Sequence, residues 1–401
     1  MPPTLTLLWL VLHGWTVSAA FGQPNSNDPS PRSKDLALVL PARGNAKIAA
    51  DEAIFPASWW DAIHQAFQQT SVGSALETEN KLSDWRLVAV RFAPCQPLLP
   101  YITPRNTLLC QPELRLVWQP ITQKYQRDHW TAYADDRAIH ALYKFDPTVG
   151  LSAEQSKRWA ELREGAAGLS NVDDTEYDRL NKQLVRSVVH QLMALRGQHE
   201  PPSYDGLGER PEFANAHAAA LFLSRLAGFL KTFAKPSNLT QLTAFSLPEG
   251  RDPPMIDEWV FIAFEPDQSG QALKRQELTV KSARDGRVLA SYGLKARGTV
   301  RRDEEDLLDL KDQLQGPDRA ELEESVIWTF PERKLKSKRI ADPFKTHVAH
   351  TSCISCHKLG PLNFDLHNLS YFEDHEVSIS PRVQQDVQRE LQWLGLGTAS
   401  N

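Results

Sequence analysis

Three helix-length runs, residues 154–164, 178–195 and 212–233, stand together between two groups of strand-length runs, and that order constrains the fold more than any other feature. Alternating strands and helices would build a parallel sheet, whereas segregated groups point to an α+β fold. The third helical run is the clearest, because Phe222, Leu223, Leu226, Phe229, Leu230 and Phe233 recur at three- and four-residue spacing and Pro236 stops it. Upstream, residues 87–92, 114–118 and 138–145 read as strands of a small antiparallel sheet. Downstream, residues 239–245, 259–264 and 277–280 are of strand length, 259–264 is apolar enough for a central strand, and Asp285-Gly286 is a hairpin turn before residues 288–290. A further helix is expected over residues 57–67, capped by Ser58, with Trp59, Ile63 and Phe67 facing the core. The expected class is α+β: a larger mixed domain with antiparallel strands and a helical insert, then a small, mostly helical or loop C-terminal segment.

The chain has 401 residues and a formal net charge of −5, enough sequence for a sizeable core and no basic excess to suggest nucleic acid as a partner. Its first twenty residues differ from the rest. Leu5, Leu7, Leu8, Trp9, Leu10, Val11, Leu12, Trp15 and Val17 form an apolar run ending in Ser18-Ala19-Ala20, which reads as a secretory signal peptide. The absence of Lys or Arg before the run and the interruption by His13 leave an uncleaved anchor as the alternative. No other stretch is long and apolar enough to span a bilayer, so no integral span is expected once the signal is removed. Residues 21–45 are expected to be a flexible linker, from the Pro, Asn, Ser and Asp of 23–34. No phosphate-cradling glycine loop, Gly-x-Ser-x-Gly, His-Glu-x-x-His or calcium-loop pattern occurs, and no internal repeat.

Four cysteines fall into two pairs. Cys95 and Cys110 flank a Pro-rich stretch between two strand runs. In an oxidising compartment they are expected to form a disulfide, with two separate buried thiols as the alternative. The second pair lies in Cys353-Ile354-Ser355-Cys356-His357. Two thiols three positions apart with an imidazole directly after the second match the attachment chemistry of a c-type haem: the thiols add across the porphyrin vinyl groups and the imidazole swings under the iron. A structural zinc site, a redox-active dithiol and a chance cluster are the other readings.

Residues 344–396, around this motif, resemble the haem segment of c-type cytochromes. The resemblance implies one covalently attached haem c, thioethers at Cys353 and Cys356, and His357 as the proximal iron ligand. In that family attachment takes place on the outer side of the membrane, which agrees with the signal peptide. The chain departs from the small soluble cytochromes c in that no methionine follows His357; past the signal only Met193 and Met255 remain. His367 is the first candidate for the distal ligand and His347 the second, since His350 stands too close to Cys353 to reach the other face of the ring. His375 shares with His367 the stretch beyond Gly360-Pro361. Two histidine ligands would give a low-potential electron carrier, and an open sixth position would admit peroxide or another small molecule. Phe364, Leu366 and Tyr371 are candidate pocket lining, with core packing away from haem as the alternative for each. Residues 381–394 read as a helix with Ser380 as cap, Pro381 in the first position and an apolar stripe of Val383, Val387, Leu391 and Leu394.

An acidic run at 303–306 and a basic run of Arg333, Lys334, Lys336, Lys338 and Arg339 precede the haem segment. They read as a solvated connector, or as a docking surface for an acidic redox partner protein. The expected organisation is a signal over 1–20, a linker over 21–45, an α+β domain over 46–340 and a haem-binding segment over 341–401. The expected function is one-electron transfer by an exported mono-haem protein, periplasmic in a bacterium. The alternatives are a haem-dependent oxidoreductase or peroxidase with its substrate site in the large domain, and a ligand-binding or sensor protein with a structural or regulatory haem.

Overall fold

The structure, a computed structural model, describes residues 31–41, 53–68, 81–97, 110–126, 129–134, 137–167, 173–196, 207–246, 259–275, 278–281, 288–292, 299–300, 369–371 and 377–395. In chain order a short helix α1 (Ser33–Leu36) leads into strand β1 (Ala37–Val39) and helix α2 (Ala57–Gln68). Strands β2 (Trp85–Pro97), β3 (Cys110–Gln126), β4 (His129–Ala134) and β5 (Ala138–Lys144) follow, then helices α3 (Ala153–Ala167), α4 (Asp174–Met193) and α5 (Ala216–Phe233). Strands β6 (Leu239–Ser246), β7 (Trp259–Pro266), β8 (Leu273–Arg275), β9 (Leu278–Lys281), β10 (Val288–Tyr292) and β11 (Thr299–Val300) come next. Beyond them lie β12 (Leu369–Tyr371), β13 (Val377–Ile379) and helix α6 (Pro381–Trp393).

The class is α+β. One sheet runs in the order β1-β2-β3-β5-β6-β7-β11, with β4 paired to β3 and β8 to β7, and these pairings are antiparallel. It is larger than the small sheet expected from the upstream strands alone. All three long helices are inserted between β5 and β6, yet those two strands are direct neighbours, with Ile139 opposite Ala244 and His140 opposite Thr243. The strand over 259–266 pairs on both sides, as expected of a central one. β9 and β10 pair as the hairpin that Asp285-Gly286 suggests, although those two residues lie outside the described ones. Part of the span expected to be linker also joins the core: residues 36–40 are apolar and buried, and Ala37, Leu38 and Val39 pair with Arg91, Val90 and Ala89 of β2.

The helices form for local reasons that the sequence spells out. Ser152 Oγ accepts from the Gln155 amide at 3.2 Å while Gln155 Oε1 accepts from the Ser152 amide at 3.0 Å, a reciprocal cap at the start of α3. Asp173 caps α4 through the Glu176 amide, and Asn215 caps α5 through the amides of His217 and Ala218. The inward stripe of α4 is Tyr177, Leu180, Leu184, Val188 and Leu192, and that of α5 is the six-residue set read from the sequence; both enter a single apolar core. The expected cap of α2 differs. The helix starts at Ala57, so Ser58 lies inside its first turn and donates instead to the Gln271 carbonyl. Beside it Trp59 Nε1 donates to the Gly270 carbonyl at 2.9 Å, pinning α2 to the turn between β7 and β8. Gly270 is required there: its φ is +73°, and a Cβ would sit 2.0 Å from the Pro236 carbonyl oxygen.

Residues 87–93 of β2 are buried without interruption, so both faces of this strand are covered. Phe92 points to one face, where it meets Phe145 and, through it, Phe233 of α5. Arg91 points to the other, where α6 lies. Among the described residues no helix is long and apolar enough to cross a membrane.

Candidate functional site

Cys353, Cys356, His357, His347, His367, Phe364 and Leu366 lie outside the described residues, as do the acidic and basic runs that precede the motif. Tyr371 ends β12, opposite Val377 of β13. Met193 is buried in the core on α4, and His190 and His217 are exposed on their helices. What the structure describes of the C-terminal segment is therefore how the chain just after the motif is held.

Cys95 and Cys110 are joined in a disulfide with Cα atoms 4.9 Å apart. The bridge ties β2 to β3 where Pro97 stands opposite Cys110, beside a register shift between Ala93 and Gln96. The Cys110 carbonyl is held from α4 by Tyr177 Oη at 2.8 Å and Asn181 Nδ2 at 3.0 Å. With the cysteines 15 positions apart, replacing both by serine is expected to cost about 3 kcal/mol of unfolding free energy in the chain-entropy account. Urea unfolding should give the same loss in the parent protein after reduction, and an unchanged midpoint would contradict it.

Helix α6 docks beside this bridge. Ser380 Oγ accepts from the Arg382 amide at 3.1 Å and Pro381 occupies the first turn, as the sequence indicates. Val383, Val387 and Leu394 are buried in the same core as the large domain, with Leu391 packed against it. The hairpin of β12 and β13 leads directly into the helix, and β12 lies against β1 and β2.

One register step from the apolar stripe, α6 carries a buried charged one. Arg382 Nε donates to Asp386 Oδ2 at 3.0 Å, and Arg389 lies 3.5 Å from Asp386 Oδ1. Arg91 reaches across from β2 to Glu390 Oε1 at 3.1 Å and stands 3.6 Å from Asp386 Oδ2. Gln96 Nε2 adds a second donor to Glu390 Oε1 at 3.3 Å, while Arg389 donates to the Cys95 carbonyl at 3.4 Å. The cluster thus joins the helix both to the sheet and to the backbone of the disulfide.

The two carboxyls of the cluster are not equivalent. Burial works against the charge of Asp386, but Arg382, Arg91 and Arg389 outweigh it and hold that carboxyl below its ordinary range. Glu390 is 0 % exposed and has fewer cations around it. Burial pushes its carboxyl up to about 7, since Arg91 is shared with Asp386 and Asp386 adds repulsion. Burial likewise opposes the Arg91 charge, which the two carboxylates hold in place. Asp386 is thus the more acidic of the pair and Glu390 the less. A second buried ionic group fastens the start of β1 to the helical insert: Asp35 pairs with Arg196 and with Arg210, and Arg210 also pairs with Glu212 at 2.8 Å.

The ionic dock was not anticipated from the sequence, although two signals for it are present. Arg91 interrupts an otherwise apolar strand run, and Arg382, Asp386 and Glu390 repeat at four-residue spacing directly beside the apolar stripe of α6. Among the described residues no group of three or more His, Cys, Asp or Glu is placed to hold a metal ion. No protein-family model matches the chain, and neither a curated protein nor a solved structure is significantly similar to it.

Proposed function

We propose that the chain is an exported mono-haem c-type cytochrome-like protein acting in one-electron transfer, with the haem carried by a small C-terminal segment. The observation that carries this reading is Cys353-Ile354-Ser355-Cys356-His357. The donor set has the chemistry the group requires: two thiols able to add to adjacent vinyl groups, and an imidazole fixed next to the second. Once bound, the iron supplies reversible one-electron exchange. The chain's part would be to hold the porphyrin covalently through Cys353 and Cys356 and to give the iron the His357 imidazole. His367, or else His347, would give the iron a second imidazole, and Phe364, Leu366 and Tyr371 would exclude water from the porphyrin. Met193 is engaged in the core of α4 and is not free to serve as a distal ligand.

Two further features support the reading. A disulfide between Cys95 and Cys110 suits an oxidising compartment, the periplasm of a bacterium in this reading, where such cofactors are attached. It also leaves Cys353 and Cys356 as the remaining cysteines of the chain. A redox partner protein that meets the basic run before the haem segment completes the proposal.

An optical spectrum of the purified protein in both oxidation states tests it. A c-type spectrum with a sharp reduced band and six-coordinate low-spin iron is the expected result. A five-coordinate ferric spectrum with peroxide turnover would replace electron transfer by catalysis, and no haem absorbance after expression with the maturation machinery would overturn the reading.

A further inference from the structure

From the geometry of the α6 dock we propose that Glu390 is a proton-operated latch: neutral, it lets the C-terminal helix rest on β2, and its ionisation loosens that helix. The inference is independent of the haem reading, because every group it uses belongs to the sheet and to α6.

Glu390 sits with no exposed surface at the contact between α6 and β2. Its Oε1 accepts from Arg91 and Gln96, while its Oε2 is buried with no hydrogen-bond partner. A neutral carboxyl loses less there than an ionised one. An ionised one needs compensation, and its nearest cation is already shared with Asp386, 3.6 Å from the same Arg91 nitrogen. When α6 lifts off, Glu390 regains water and ionises freely, so a rise in pH favours the open helix.

Among the described residues the other charged groups packed around the contact make up the missing charge only in part, through Arg389. Arg382 and Arg389 on α6 are committed to Asp386, and Arg389 also to the Cys95 carbonyl. On β3, Arg115 pairs with Glu113 at 3.0 Å. On α1, Asp35 is held by Arg196 and Arg210, and Lys34 donates to the Glu209 carbonyl. On α4, Lys182 pairs with Asp178 and lies over the Trp393 ring. None of these is a histidine.

The sign follows from linkage. The folded carboxyl of Glu390 titrates near 7, above its ordinary 4.5, so its contribution to docking is complete below about pH 4.5 and is lost as pH rises towards 7. Asp386 has the opposite sign: its contribution is present above its ordinary range and is lost on acidification. Docking is therefore tightest in mildly acidic solution.

Hydrogen exchange of the amides of residues 382–393 in the full-length protein, corrected for intrinsic rates and followed from pH 4.5 to 8, reads the latch directly. The opening constant is expected to rise on the order of tens-fold between pH 5 and 7.5 and then to level off. In Glu390→Gln the rise should vanish, with protection at pH 7.5 at or above that of the parent. Arg389→Ala removes a half-buried cation that favours the ionised form of Glu390, so the same rise should persist with its midpoint at higher pH. A flat or falling opening constant in the parent overturns the proposal, as does a Glu390→Gln protein that keeps the parent's rise. Should Glu390→Gln fail to fold, an unmoved midpoint in Arg389→Ala overturns it alone.

Discussion

A chain in which Cys353 and Cys356 are both alanine is expected to show no haem stain on a denaturing gel, while the parent, produced alongside the cytochrome c maturation machinery, stains at full strength. Thioether bonds survive denaturation, whereas a porphyrin held only by packing and an axial ligand leaves with the fold, so the stain reports covalent attachment and nothing weaker. Each single alanine variant retains one thiol and should stain partially. Replacing Cys95 and Cys110 instead should leave the stain in place, because that pair is already joined and lies between β2 and β3. Staining that survives in the double alanine variant would place any haem elsewhere. Zinc bound in equal amount by the parent and lost from that variant would return the zinc reading of the same four-residue spacing.

Legibility in the sequence followed how local each interaction is. α5 was evident because its apolar face is set by spacing within one helix, and the stop at Pro236 by the chemistry of one residue. The strands of β2, β3 and β5 are evident from composition, but β2 and β3 extend further than their apolar runs. β2 runs on to Pro97 because Pro97 and Cys110 are paired, a fact about two strands and a disulfide that neither run carries alone. The union of upstream and downstream strands into one sheet was not legible. It depends on Ile139 finding Ala244 across the whole helical insert, and period-2 patterning carries no information about partners.

The same division applies to the candidate site. Haem attachment chemistry is confined to five consecutive residues, so the spacing alone suffices to suggest it. The start and stripe of α6 were equally local, from Ser380, Pro381 and the apolar positions after them. What the helix packs on was not, since Arg91 and Glu390 are 299 positions apart. An arginine in an apolar strand states only that an anion must be near; the fold decides which. Ser58 shows the converse error. Its position before an apolar helix suits a cap, but an early helix start places it inside the first turn, where it donates a hydrogen bond to the Gln271 carbonyl.

Arg91→Met is expected to destabilise the folded chain by about 3–5 kcal/mol, the range for stripping one partner from a buried ionic group. The side chain is buried, and its removal leaves Glu390 with Gln96 as sole donor and takes one of three cations from Asp386. Methionine fills much of the same volume, so the loss reports charge more than packing. The cost should also depend on pH. Without Arg91 the folded carboxyl of Glu390 is pushed up further, and a group raised on folding loses its stabilising effect as pH rises, so the loss should be smaller at pH 5 than at pH 8. Adding Glu390→Leu should return a substantial part of the stability, because an apolar side chain facing the introduced methionine has no charge to compensate, while Asp386 keeps Arg382 and Arg389. Urea unfolding of the parent, both single variants and the double at the two pH values measures all of these terms together with their coupling. A cost below about 1 kcal/mol for Arg91→Met would mean that the ionic cluster contributes no more than an exposed salt bridge, and α6 would then be held chiefly by its apolar stripe of Val383, Val387, Leu391 and Leu394.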